Sequence, residues 1–328
     1  MRGCGGSSYR RYGDRVSPDL EHLRTASRDE AAAFFAEVDA EALVAAVRAT
    51  TDEELLGLVS RDDIRPVAVE GILGRLHEYA VAERLADLRG VVRFDLERRG
   101  TLLERHAIAF EGGGLTLRPR LSDAEPTDVV LRTSLLRFVR IVSGERNAGL
   151  EYLSGKLDID GDAMLALAVG GIFRVPGSGE VAVDPTALDP VDVATALAEV
   201  RSDHLRKVMT SGFRSIVLEE IFRRLPEYVN PRKAAKVHLT IGFRLLGNPN
   251  GDVERYVVRV AGGAATVTAG DEGEQRDATV TCEAHDYLRL ATGHLNPVTG
   301  VLKGQLKVRG DKAKALQLSS VIDIPKPR

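Results

Sequence analysis

The 328-residue sequence has no apolar run approaching the ~18 residues that a membrane-spanning helix needs. It has only two cysteines, Cys4 and Cys282, too few for a disulfide framework or a four-cysteine zinc site. Nothing near its start combines a basic stretch with a short apolar core, the mark of a secretory signal. These absences exclude an integral membrane protein and a disulfide-rich secreted domain, and we expect a cytoplasmic location.

No charge sign is in large excess, because 45 Lys and Arg residues face 48 Asp and Glu residues, a formal net charge of −3. A nucleic-acid partner is therefore not expected, since such proteins carry a strongly basic balance. The seven histidines show no spacing typical of a metal site. Glu283, His285 and Asp286 lie close together, but their spacing is more typical of a solvated helix start. We predict no metal, no cofactor, no catalytic residue and no enzymatic activity.

The sequence does contain an internal repeat. At about 150 residues per domain, the chain corresponds to about two domains, and residues 52–176 align with residues 201–325 at an offset of 149. Matching pairs include Ile72 with Ile221, Arg75 with Arg224, Tyr79 with Tyr228, Phe94 with Phe243, Asn147 with Asn296, Gly155 with Gly304 and Asp162 with Asp311. A slip of one residue, seen at Glu104 against Glu254, lies beside an expected hairpin turn, where an extra residue costs little.

Within copy two the hydrophobic periodicity changes in a fixed order. Apolar residues at helical spacing from Asp203 to Tyr228 predict helices that are separated near Gly212. Alternating apolar and polar residues from Val237 to Leu245 predict a half-buried strand. The segments that follow are expected to be meander strands at 253–260, 264–269 and 277–282, a helix near 284–292, a strand near 304–309 and a closing helix capped by Asp311.

Charge divides unevenly between the copies. Copy one carries a net charge of −4 and copy two a net charge of +5, while residues 177–200 contain five acidic residues and no basic residue. Opposite signs favour docking of the copies on each other, or leave copy two facing an anionic surface. The alternative is that the two solvated surfaces have simply diverged.

The residues from Asn296 to Asp311 read Asn-Pro-Val-Thr-Gly-Val-Leu-Lys-Gly-Gln-Leu-Lys-Val-Arg-Gly-Asp. Here, and in the run from Asp277 to Gly293, the chain resembles the sterol carrier protein type 2 (sterol-binding domain) family. That family has an Asn-Pro-x-Thr turn, a Gly-Lys-Leu strand and Gly-Asp before its last helix. The resemblance covers copy two almost end to end, whereas copy one has Ala148 for the proline and Leu150 for the threonine.

The resemblance implies an α+β fold with two tandem domains, each a mostly antiparallel sheet of about five strands covered by helices, with an apolar tunnel between the layers. We place a flexible segment at 1–38, a divergent sterol-carrier-like domain at 39–176, an acidic linker at 177–188 and a second such domain at 189–328. The implied ligand is a sterol, a fatty acyl chain or another hydrophobic small molecule. Transient membrane contact and docking of the two domains on each other are further partner predictions.

The predicted tunnel wall lies mainly in domain 2 and consists of Leu239, Ile241, Phe243, Tyr287, Leu290, Leu316 and Leu318. A filled core would use the same residues, and periodicity does not separate the two readings. Because an empty cavity costs stability, we expect an open tunnel in copy two and a more filled interior in copy one. The alternatives are a ligand-free scaffold or interaction module and, third, an enzyme acting on a hydrophobic substrate.

Overall fold

The computed structural model describes residues 9–12, 15–18, 20–270, 273, 275–325 and 327, with the backbone alone for the residues before 20. Residues 1–8, including Cys4 of the expected flexible tail, lie outside the described residues. The chain forms two compact units: unit 1 runs to Asp184 without residues 153–155, and unit 2 consists of Leu153–Gly155 and the residues from Pro185 onwards. No helix in the described ranges is both long and apolar enough to cross a bilayer.

The elements before residue 184 include short 3-10 helices at Leu20–Arg24 and Leu76–Tyr79. The strands and longer helices are β1 (Tyr9–Tyr12), β2 (Arg15–Pro18), α1 (Arg28–Glu37), α2 (Ala40–Ala49), α3 (Asp52–Val59), α4 (Arg65–Gly74), α5 (Ala82–Leu85), β3 (Gly90–Arg98), β4 (Thr101–Glu111), β5 (Gly114–Pro119), β6 (Val129–Ser134), α6 (Leu135–Val142), α7 (Ala148–Leu153), β7 (Leu157–Gly161) and α8 (Ala163–Ile172).

The elements after residue 184 begin with a 3-10 helix at Pro185–Ala187, and another lies at Leu225–Tyr228. The strands and longer helices are α9 (Pro190–Leu197), α10 (Ser202–Thr210), α11 (Arg214–Arg224), α12 (Pro231–Ala234), β8 (Leu239–Leu246), β9 (Glu254–Ala261), β10 (Ala264–Ala269), β11 (Ala278–Glu283), α13 (Ala284–Ala291), α14 (Pro297–Leu302), β12 (Leu306–Gly310) and α15 (Lys312–Val321).

Each unit contains a five-stranded mixed sheet, ordered β5-β4-β3-β6-β7 in unit 1 and β10-β9-β8-β11-β12 in unit 2. The β3/β6 and β8/β11 pairs are parallel, and the other neighbouring pairs are antiparallel. The expected meander therefore ends at its third strand: β11 does not follow β10 but crosses to β8. A parallel pair needs a long connection, which the β9–β10 hairpin supplies. The α+β class, with mostly antiparallel sheets covered by helices, is confirmed.

The internal repeat is visible in the order of the elements, because α3, α4 and β3 of unit 1 recur as α10, α11 and β8 of unit 2. The repeat extends further back than the sequence alignment, since α2 and α9 precede these helices and are N-capped by Asp39 and Asp189. Leu96 pairs with Glu104, and Leu245 pairs with Glu254. The single-residue slip therefore falls in the turn between these paired strands, as predicted.

An ion pair at equivalent positions ties a helix to the sheet in both units. The Nε of Arg65, at the start of α4, lies 2.8 Å from Glu104 Oε1 on β4. The Nε of Arg214, at the start of α11, lies 2.7 Å from Glu254 Oε1 on β9. Burial alone would raise the pKa of Glu254, but the hydrogen bonds and charge of Arg214 outweigh burial and lower it. The pair fixes the helix that covers the sheet in each unit.

Residues 28–37, placed in a flexible segment by the sequence analysis, form α1 in the structure. Ser27 and Glu30 close a capping box that defines the start of this helix. Phe35 is buried, and its Cβ lies 2.8 Å from where a Cβ atom on Gly71 of α4 would stand. This close approach requires glycine at position 71, and the packing of Phe35 makes α1 part of the unit 1 core. A contact between residues so far apart in sequence left no local signal.

Candidate ligand-binding site

Unit 2 contains a cavity of about 330 Å³ between its sheet and its helices. The lining side chains come mainly from α11, β8, β11, α13, α14, β12 and α15, and from the segment 185–193. Most of them are apolar; the polar members are Glu220, Arg224, Tyr228, Tyr287, Thr292, Lys312 and Ser319. The volume lies at the small end of the ~300–1,000 Å³ typical of small-molecule sites. The arrangement can therefore accept one slender hydrophobic ligand.

An aromatic cluster forms one wall of the cavity. Phe222 is buried between the rings of Tyr256 and Tyr287, with ring centroids 3.7 and 4.8 Å away and interplanar angles of 11° and 10°. Phe243 meets Tyr287 edge-on at 5.4 Å. Such contacts add to the stability gained by burying the rings. They hold the two lining members of the cluster, Phe243 and Tyr287, in fixed orientations.

The helices present one face to the cavity and the other to the core. On α11, Ile216, Val217 and Ile221 line the cavity, whereas Leu218 and Phe222 on the same helix are fully buried. Burial raises the pKa of Tyr287, on α13, well above its ordinary value. Its hydroxyl therefore stays protonated and uncharged at neutral pH.

Arg224 provides a cationic group at the cavity wall. Its Nη1 donates a hydrogen bond to the Leu188 carbonyl oxygen at 2.6 Å. Its Nε is buried without a hydrogen-bond partner, and the nearest carboxylate oxygens, of Glu220 and Glu227, lie 3.5 and 3.8 Å away. Glu220 is itself bonded to Arg223 at 2.7 Å. Its guanidinium therefore carries a positive charge at the cavity wall that Glu220 and Glu227 partly offset.

The segment before α9 closes part of the cavity. Pro185, Leu188, Pro190 and Val193 all line it, and the carbonyl of Leu188 is held by Arg224. The sequence analysis places residues 185–188 in an acidic linker. In the structure they belong to unit 2 and contribute apolar side chains to its wall.

The structure brings together five of the seven predicted wall residues. Phe243, Tyr287, Leu290, Leu316 and Leu318 line the cavity. The other two, Leu239 and Ile241, are buried on β8 but are not among the lining residues. The α11 face and the 185–193 segment also belong to the wall, although the sequence did not predict them there. Helical periodicity had marked the apolar residues of α11, but nothing in it indicated what they would face.

The corresponding surface of unit 1 is occupied by its own chain. A cavity of about 50 Å³ in this unit lies between the N-terminal helices, α4 and α6. Gly71 and Gly170 stand where unit 2 has the lining residues Glu220 and Ser319. Phe35 packs on Gly71, and Val183 Cγ2 lies 2.5 Å from where a Cβ atom on Gly170 would stand. The two glycines leave room for side chains that fill this part of unit 1.

The Glu283, His285 and Asp286 constellation links helices away from the cavity. Arg206 on α10 donates to His285 Nε2 at 3.4 Å, and Gln305 donates to Asp286 at 2.8 Å. Burial lowers the pKa of His285 and raises the pKa of Cys282 to about 12. The described ranges contain no group of three or more His, Cys, Asp or Glu side chains suited to a metal ion.

A family model matches both halves of the chain. The model of the SCP-2 sterol transfer family matches residues 70–174 and 218–323. Sterol carrier protein 2 of Gallus gallus is 31% identical over 111 residues, which are 34% of this chain and 20% of that protein. Sterol carrier protein 2 of Homo sapiens is 28% identical over 131 residues, 38% of this chain and 24% of that protein. The chain thus spans between a fifth and a quarter of the length of these relatives.

Among solved structures, the crystal structure of sterol carrier protein 2 like 2 from Aedes aegypti is 25% identical to this chain. The match covers 33% of this chain and 95% of the Aedes aegypti chain, with a TM-score of 0.28.

Proposed function

Because this chain belongs to the SCP-2 sterol transfer family, whose general property is lipid binding or transfer, we propose that unit 2 carries one hydrophobic small molecule in its cavity. The ligand is a fatty acyl chain, a sterol or a lipid of similar size, and it is carried without chemical change. The observation that carries the proposal is the apolar cavity of about 330 Å³.

Free energy favours a filled cavity over an empty one. At ~24 cal/mol per Å³, a void of about 330 Å³ would cost about 8 kcal/mol if it stayed empty. That cost is comparable to the whole stability of a typical domain, ~5–15 kcal/mol. Burying a chain of about sixteen carbons gains more than ~10 kcal/mol at ~0.8 kcal/mol per CH₂, and association subtracts at least ~4 kcal/mol. The surplus supports binding in the micromolar range.

For unit 1 we propose a ligand-free role, in line with the more filled interior expected for copy one. Its support is the pair of glycines, Gly71 and Gly170, which admit Phe35 and Val183 where unit 2 has cavity wall. The chain then binds one ligand rather than two.

The proposal is tested by titrating the full-length chain with a fluorescent fatty acid and displacing the probe with unlabelled fatty acids and sterols. We expect saturation at one probe per chain with a micromolar dissociation constant. An absence of saturable binding, together with an absence of displacement by any lipid tried, would leave the scaffold alternative for both units.

Because Arg224 places a positive charge at the cavity wall, we expect unit 2 to prefer ligands with an anionic end. In an Arg224→Gln variant we expect roughly tenfold or greater loss of affinity for a fatty acid, since a hydrogen bond to a charged group contributes ~1.5–3 kcal/mol. Affinity for an uncharged long-chain alcohol should change far less. The measurement is the same displacement titration with both ligands.

The matched control is Arg75→Gln, because Arg75 is the equivalent residue of unit 1. It pairs with Glu78 at 3.0 Å and is no part of the unit 2 wall. Equal losses for the acid and the alcohol in Arg224→Gln would show that Arg224 acts on cavity shape and not on ligand charge.

A further inference from the structure

Three of the side chains that line the unit 2 cavity are both apolar and exposed. Leu302, Val298 and Leu316 are 82%, 50% and 38% exposed, and all three also line the cavity. Single exposed apolar residues are ordinary on protein surfaces. Three exposed apolar residues that line the same cavity form a patch of the kind that marks an interaction site.

Basic residues accompany this patch. Residues 298–318, which include β12 and parts of α14 and α15, contain five basic residues and one acidic residue. The equivalent residues 149–169 of copy one contain one basic residue and four acidic residues. Lys303 directly follows the most exposed apolar residue and is itself exposed, and the exposed Lys312 lines the cavity. The cationic character therefore belongs to the copy that has the cavity.

We propose that this rim, defined as Val298, Leu302, Lys303, Lys312 and Leu316, docks unit 2 on the anionic surface of a lipid bilayer. The inference rests on the proposed function and names the surface at which the ligand is exchanged. The apolar side chains enter the headgroup region, and the lysines meet anionic headgroups, the combination typical of interfacial binding. A ligand that passes directly from bilayer to cavity avoids exposing its apolar surface to water.

Charge complementarity favours a bilayer over the other occupants of such a patch. A second copy of the chain would bring the same basic rim against itself, because a twofold contact repeats the same surface on both partners. A single-stranded nucleic acid is bound through aromatic stacking as well as basic charge, and the rim contains no aromatic residue.

The chain has no tryptophan, so one introduced residue reports on the rim alone. We expect the emission of Leu302→Trp to shift to the blue with vesicles of phosphatidylcholine mixed with phosphatidylglycerol, and much less with phosphatidylcholine alone. Added salt should reverse the shift. In the Leu302→Trp background, Lys303→Glu should weaken vesicle binding roughly tenfold. The matched control is Met164→Trp, at a 57% exposed apolar position of α8 in unit 1, which should not shift.

The proposal fails if Leu302→Trp shows no shift with anionic vesicles, or if Met164→Trp shifts equally. It also fails if the shift appears without vesicles and grows with protein concentration, because the rim would then be a contact between two copies. Fatty-acid titration without vesicles separates this proposal from the proposed function. Binding of the probe without vesicle docking would refute the docking surface alone, whereas absent probe binding would refute the proposed function.

Discussion

Replacing Ala315 by phenylalanine is expected to remove ligand binding while leaving unit 2 folded. Ala315 lies on α15 and lines the cavity, so a larger side chain there fills space that the ligand would occupy. If the phenyl group displaces three or four CH₂ groups at ~0.8 kcal/mol each, affinity falls about a hundredfold. The free energy of unfolding should not fall by more than about 1 kcal/mol, because the new group enters a void and does not overpack the core. Probe titration and urea unfolding measure the two quantities.

The same substitution at Ala166, the equivalent residue of unit 1, is the matched control. Ala166 packs against the filled core of unit 1, where added volume typically costs ~1–3 kcal/mol. The lower helix propensity of phenylalanine affects both variants equally. We therefore expect Ala166→Phe to lose stability and keep probe binding. Loss of stability in both variants, with probe binding retained in Ala315→Phe, would show that the unit 2 cavity is not where the ligand binds.

Truncating Phe35 to alanine is expected to destabilise unit 1 by about 3–5 kcal/mol, the usual cost of removing a buried phenyl group. The loss should be large because Gly71 offers no side chain that could fill the space. Chemical unfolding, followed by circular dichroism, measures the change. Probe binding in unit 2 should be unaffected.

Phe34→Ala provides the comparison, because Phe34 lies beside Phe35 on α1 but is only half-buried. It should cost less than about 2 kcal/mol, in proportion to the smaller apolar area it buries. Equal losses at the two positions would mean that α1 is held by general apolar contact and not by the fit of Phe35 against Gly71.

Much of the fold follows from local patterns. The alternation in copy two indicates strands at 264–269 and 277–282, and the structure has β10 at Ala264–Ala269 and β11 at Ala278–Glu283. The sequence predicts that Asp311 caps the last helix, and its carboxylate accepts hydrogen bonds from the backbone amides of Ala313 and Lys314. These features depend on neighbouring residues, which is why a single sequence reveals them.

Features that depend on contacts between distant residues could not be predicted from local sequence patterns. Alternation places Leu239, Ile241 and Phe243 on one face of β8, but only Phe243 lies at the depth of the cavity. The parallel pairing of β8 with β11 depends on a crossover that no local pattern encodes. The contact of Phe35 with Gly71 joins two residues that are distant in sequence, so the residues around either one do not predict it. The sequence therefore predicts which residues form helices and strands and which of them share a face. How deep a residue lies, and whether a cavity is filled, become known only from the folded structure.

We propose that unit 2 houses one hydrophobic ligand. Native mass spectrometry of gently purified protein tests it most directly. We expect a population heavier than the bare chain by the mass of one lipid, and we expect this population to be absent from Ala315→Phe and present in Ala166→Phe. A bare chain in every preparation, unchanged after incubation with fatty acids or sterols, would mean that unit 2 does not carry a lipid.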